Sequence, residues 1–139
     1  LDEVPILLFQ LCYLWLYARR IMKLRSGFAA AAIAAYMVIA YFGRQFPHLL
    51  NGSLVYAPAF ILLLGLGLYH FLQHKAERFL LLATTGIFLI ALAFRSVDEA
   101  ACAFIPVGTH FLWHVLIAVA LYLSMRALIL NWPVRIRET

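Results

Sequence analysis

The chain reads as an all-α, multi-pass bundle of transmembrane helices. Three features lead there. Of its 139 residues, 66% are hydrophobic and only 12% charged, where an ordinary soluble domain carries about 45–50% and about 25%. A soluble domain of this length could not bury so many apolar side chains in its own core, so the excess must face lipid. Second, the apolar residues fall into five runs, at about 4–22, 28–42, 53–73, 78–94 and 108–130. A helix rising about 1.5 Å per residue needs about 20 residues to cross about 30 Å of hydrocarbon. Third, the basic residues sit between the runs, as membrane topology requires.

The first run opens on Asp2-Glu3-Val4-Pro5, where an acid followed by proline suits a helix N-terminus. It closes on Arg19, Arg20, Lys23 and Arg25. The second is short and alanine-rich, which reads either as a span of little tilt or as one packed closely against its neighbours. Pro47, Asn51 and Gly52 then break the chain, and His48 in this connection reads as solvent-facing. The third run ends at His74-Lys75, the fourth before Arg95, and the fifth follows Pro106 and Gly108.

With five antiparallel spans, nine of the eleven Lys and Arg fall on one side and only Arg44 and Arg95 on the other. The positive-inside rule makes the basic side cytoplasmic, with the amino terminus outside and the carboxy terminus in the cytoplasm. Trp15, Tyr17, Tyr56 and Trp132 near run ends read as an interfacial aromatic belt. The formal charge of +5 is thereby explained by topology, and no basic patch with interleaved aromatics points to nucleic acid. Cys12 lies within a span and Cys102 in a polar connection, so no disulfide is expected.

Most of the remaining polar residues gather on the non-cytoplasmic side: Asp2 and Glu3, Arg95, Asp98 and Glu99, His110 and His114. On a helix, His110 and His114 share one face one turn apart, the spacing two ligands on one element need for a tetrahedral metal such as zinc. The same pair also reads as two interfacial histidines hydrogen-bonded to neighbours or water. Asp2 also reads as a cap on the first span, and Arg95 and Asp98 as an ion pair at i, i+3. His70 and His74 repeat the spacing on the basic side, but at a helix C-terminus, where polar and cationic caps are favoured. They read as structural. Serine-hydrolase, dithiol, phosphate-loop and His-Glu-x-x-His motifs are absent from the sequence.

Leu1-Asp2-Glu3-Val4-Pro5 ahead of a span, Phe94-Arg95-x-x-Asp98-x-x-x-Cys102, and Gly108-Thr109-His110-Phe111-Leu112-Trp113-His114 together resemble the alkaline ceramidase family. That family comprises seven-helix, zinc-dependent membrane amidases, distantly similar to adiponectin receptors. The resemblance implies hydrolysis of the N-acyl bond of ceramide-like lipids to a long-chain base and a fatty acid. It makes His110 and His114 two of three histidine ligands to zinc, and Asp2 the group that orients the attacking water. Arg95 and Asp98 are candidate supporting residues. The family's third histidine, its companion serine and its calcium-binding acidic segment would precede Leu1. The chain is thus expected to be the last five helices of seven, truncated at its amino terminus, and incomplete as a zinc site by itself. The alternatives are a non-catalytic receptor or regulatory protein with a structural zinc, and a transporter fragment whose histidines and acids line a polar path.

Overall fold

A computed structural model describes residues 3–134, with the backbone alone at 50 and 51. The described residues contain no strand, and five of their helices are long and apolar enough to span a membrane. The chain is a multi-pass transmembrane helix bundle. Helix α1 runs Glu3–Leu16 and continues as a π-helical turn, Tyr17–Ile21. Helix α2 is Ser26–Gly43; a 3-10 segment, Leu49–Tyr56, leads into α3, Ala57–Leu72; α4 is Leu80–Cys102 and α5 His110–Leu130.

Each helix ends for a local reason. The π-helical turn closes where Lys23 takes a left-handed backbone, φ 55°, and the Leu24 N–H reaches back to the Ala18 carbonyl at 2.9 Å. At the end of α3, His74 is also left-handed, φ 49°. The N–H groups of Lys75 and His74 close on the carbonyls of His70 and Phe71 at 3.2 and 3.1 Å. That is the Schellman bond pattern. Pro58, which lacks an N–H, stands in the first turn of α3, where none is needed.

One boundary departs widely from the sequence reading. The fourth run was expected to close before Arg95, yet α4 continues to Cys102. Charged residues mark where apolar surface stops, but they do not stop a helix. Arg95, Asp98 and Cys102 are therefore helical, and Cys102 ends α4 instead of lying in a connection. Both cysteines are free and exposed.

Packing is closest where α4 meets α5 and α3. Gly67 lets α3 approach α4: a Cβ there would stand 3.0 Å from Leu82 Cδ2 and 3.3 Å from the Leu81 backbone. Ala91, Ala120 and Ala127 do the same service elsewhere, each buried. The core divides in two. Tyr13, Tyr17, Leu66, Leu81 and Leu128 fill the basic half, and Tyr56, Phe88, Trp113 and Ile117 the half nearer His110. Tyr17 and Tyr56 are thus core residues, at 0% and 6% exposure, and not part of an aromatic belt. The Tyr17 hydroxyl meets His70 Nδ1 at 2.7 Å, and the Tyr56 ring carries the Arg95 guanidinium on its face, so each polar or polarisable aromatic is engaged in the packed interior.

Helix α2 stands apart. It meets its neighbours through Ala29 and Tyr36, whose hydroxyl donates to Gln10 on α1. Ala30, Ala31, Ala34 and Ala35 are exposed and Phe28, Val38, Tyr41 and Phe42 more than half exposed, so close packing, one of the two readings of this run, is not found among the described residues. In water that surface would be untenable; in a bilayer it is the lipid-facing side.

Candidate functional site

The site is built at the start of α5. Gly108, φ 68°, turns the chain into the helix, and a Cβ there would lie 2.6 Å from Asp98 Oδ1 and 2.9 Å from Cys102 Sγ. Only glycine fits. Asp98, one helix away, then does what a local cap would do. Its Oδ1 accepts the backbone N–H of Thr109 at 2.6 Å and of His110 at 2.9 Å, and the Thr109 hydroxyl lies 3.3 Å from the same oxygen. That hydroxyl also donates to the Phe94 carbonyl at 2.7 Å. A carboxylate on the first N–H groups of a helix satisfies orphan donors and complements the helix dipole.

The second carboxylate oxygen faces the imidazole. Asp98 Oδ2 stands 3.9 Å from His110 Nδ1. One turn on, the His114 ring lies edge-on to that of His110, with centroids 4.8 Å apart and planes at 81°. Sequence spacing is therefore translated into side-chain proximity. At 3.9 Å the Asp98 carboxylate places negative charge beside His110 Nδ1 without a hydrogen bond to it. His114 is exposed on the surface of α5, and His110 half-buried.

Arg95 does not pair with Asp98 as the i, i+3 spacing had it. Its guanidinium lies over the rings of Tyr56 and Trp113, 5.0 and 5.5 Å from their centroids. The carboxylate is held by the α5 amides, so the arginine takes the faces of two buried aromatics instead. Its Nε is buried with no hydrogen-bond partner among the described residues. Trp113 in turn packs against Tyr56 and Phe88 at 4.9 and 6.1 Å. Arg95, Glu3 and Arg44 line a hollow of about 270 Å³ beside the site, and Arg44 pairs with Glu3 at 2.8 Å, tying α2 to the start of α1.

Asp2 lies outside the described residues, in both its capping and its water-orienting readings. Among the described residues, no group of three or more His, Cys, Asp or Glu stands close enough to hold a metal ion. Two imidazoles one turn apart are the kind of donor set that suits a nitrogen-preferring divalent ion such as zinc.

The second histidine pair behaves differently. His74 lies past the end of α3 with positive φ, so it does not share a helical face with His70. His70 is fully buried; its Nδ1 accepts from the Tyr17 hydroxyl at 2.7 Å and its Nε2 donates to the Ala76 carbonyl at 3.1 Å. The carbonyl can only accept, which fixes the tautomer. Asn131 at the end of α5 closes the network through both the N–H and the carbonyl of Ala76, at 2.9 and 3.2 Å. His74 instead lies beside Arg78, its Nδ1 3.3 Å from Arg78 Nη1.

Thr109, Gly108, Tyr56 and Trp113 had not been read as parts of the site. Asp98 caps a helix from eleven residues upstream, so no local capping pattern could show it. The five helices define a helical, multi-pass membrane protein. Comparison with models of protein families, with curated proteins and with solved structures found no match to the chain.

Proposed function

We propose that the protein is a zinc-dependent membrane hydrolase that cleaves the amide bond of ceramide-like lipids. The observation that carries this reading is the meeting of His110 and His114 rings, 4.8 Å apart, with Asp98 behind the first. His110 and His114 would hold the ion. A zinc ion there would polarise a carbonyl and lower the pKa of water from about 15.7 to about 7.

The chain's own residues supply the rest. Asp98 holds the first turn of α5, and with it His110, in place through the backbone N–H bonds, and sets negative charge beside the His110 ring. Asp2, immediately before α1 in sequence, would hold the attacking water and take its proton. The Arg95 guanidinium, set on Tyr56 and Trp113, keeps positive charge beside the site. A narrow apolar cavity between α1, α3, α4 and α5, lined by Phe9, Leu62, Leu63, Phe88, Ile117 and Leu121, is of the character that lipid tails require. We place the basic side in the cytoplasm on the Lys and Arg bias, which sets the site at the opposite membrane face.

Metal analysis and a lipid amidase assay on the purified full-length protein test the reading. About one zinc per chain is expected, by the logic of a single catalytic ion, with release of fatty acid from ceramide. His110→Ala and His114→Ala should each lose both the metal and the release. Full activity with unchanged metal content in His114→Ala would overturn the proposal.

A further inference from the structure

The side of the bundle opposite His110 is strongly basic, and its charge is largely uncompensated. Arg126 pairs with Glu77 at 2.5 Å. Arg19, Arg20, Lys23, Arg25, Lys75 and Arg78 have no carboxylate within ion-pair distance among the described residues. Topology requires such residues on one side, but it does not require them to form grooves.

Two open grooves nevertheless lie there. One is lined by Lys75, Glu77, Arg78, Phe79, Leu80 and Ala83. It contains a carboxylate, and its Arg78 guanidinium already lies against Phe71 and Phe79, at 5.2 and 4.9 Å from their ring centroids. The other is lined by Arg19, Arg25, Ser26, Gly27, Phe28 and Ala31, and its charge is wholly positive. Arg19 is fixed by a 2.6 Å bond from Nη1 to the Leu24 carbonyl, which leaves its other donors uncommitted in the hydrogen bonds of this region. The groove is polar at the end formed by Arg19, Arg25 and Ser26. Within the first turn and a half of α2 it becomes apolar, at Phe28, 65% exposed, and Ala31. A ligand that fills it is a compact anion joined to an apolar body, placed where a transmembrane helix begins.

We propose that this groove seats an anionic phospholipid, with the phosphate between Arg19 and Arg25 and the start of the acyl chains along Phe28 and Ala31. Guanidinium groups are suited to phosphate by their forked donors. Anionic lipid is drawn to basic residues at the membrane surface. A free phosphate would use the cations and leave Phe28 idle. The inference is independent of the hydrolase reading.

The test is lipid binding to the full chain purified in detergent, with bound lipid counted by native mass spectrometry. Dioleoyl phosphatidylglycerol should bind on the order of tenfold tighter than dioleoyl phosphatidylcholine, and the double variant Arg19→Gln/Arg25→Gln should bring the two within about twofold. Phe28→Ala should weaken both lipids and keep the preference. Excess inorganic phosphate should leave the lipid in place. On the unaltered protein, which needs no variant to fold, the preference should collapse at ~1 M salt, where the Debye length falls to ~3 Å. Equal binding of the two lipids, a preference that survives the double variant or high salt, or displacement by inorganic phosphate would each overturn the proposal.

Discussion

Asp98 on α4 accepts the backbone N–H of His110 on α5 at 2.9 Å, and its second oxygen stands 3.9 Å from the ring Nδ1 of the same residue. One carboxylate thus sets where the helix begins and places negative charge beside its first imidazole, at a distance beyond a hydrogen bond. Asp98→Ala removes an acceptor from two amides, the loss of a helix cap, and should lower the melting temperature of the protein. Asp98→Asn retains an acceptor and should cost less. Thermal unfolding in detergent measures both. On the proposed function, metal affinity should also fall about 10–100-fold in Asp98→Ala, as for other carboxylates behind a ligating histidine.

Gly108 and Gly65 make a matched pair. A Cβ at Gly108 would stand 2.6 Å from Asp98 Oδ1 at a φ of 68°, while at Gly65 nothing lies within 4 Å. Gly108→Ala should therefore destabilise by about 1–3 kcal/mol through backbone strain and displacement of the cap. Gly65→Ala, inside α3, should be neutral or stabilising by up to about 1 kcal/mol, the difference in helix propensity. Comparison of the two melting curves checks the assignment; equal losses would contradict it.

Tyr17 and His70 join α1 to α3 through a buried hydrogen bond of 2.7 Å. Tyr17→Phe leaves His70 Nδ1 without its donor and should cost about 1–3 kcal/mol. Adding Asn131→Ala should cost less than the sum of the two single changes, because both residues serve the same network through His70 and Ala76. A double-mutant cycle by thermal or denaturant unfolding measures the coupling, and strict additivity would show the two ends to be independent.

Glu77 and Arg126 give a pH dependence whose sign is fixed. The Arg126 hydrogen bonds hold the Glu77 carboxyl below the ordinary glutamate range. A group depressed on folding contributes stability above its unfolded pKa of about 4.3, and loses that contribution as pH falls through the lower folded value. Acid destabilisation of the protein should be shallower in Glu77→Gln, with the two proteins converging at the acid limit of the titration. Melting temperature against pH checks this, and parallel profiles would contradict it.

The legible part of this protein was whatever depends on composition along one helix. Five spans could be placed because a membrane span is a one-dimensional property, about 20 apolar residues in a row. The His110 and His114 pairing was legible because both residues fall inside a single regular helix, whose period fixes their separation. The same spacing at His70 and His74 misleads, since α3 ends between them and His74 turns left-handed. The end of α4 was misplaced because a run of charges looks like a helix stop when it is only the edge of apolar surface.

Sequence by itself, then, determined the solvent this chain lives in, the number and order of its spans, and the side on which basic residues collect. Tertiary structure decided what Asp98 and Arg95 do. Three residues apart on α4, they looked like an ion pair; across the bundle, the amides of α5 outcompete the guanidinium for the carboxylate, and the rings of Tyr56 and Trp113 take the arginine. Those partners lie on other helices, and which side chains meet between helices is settled by how close the backbones pack, a quantity no local pattern encodes.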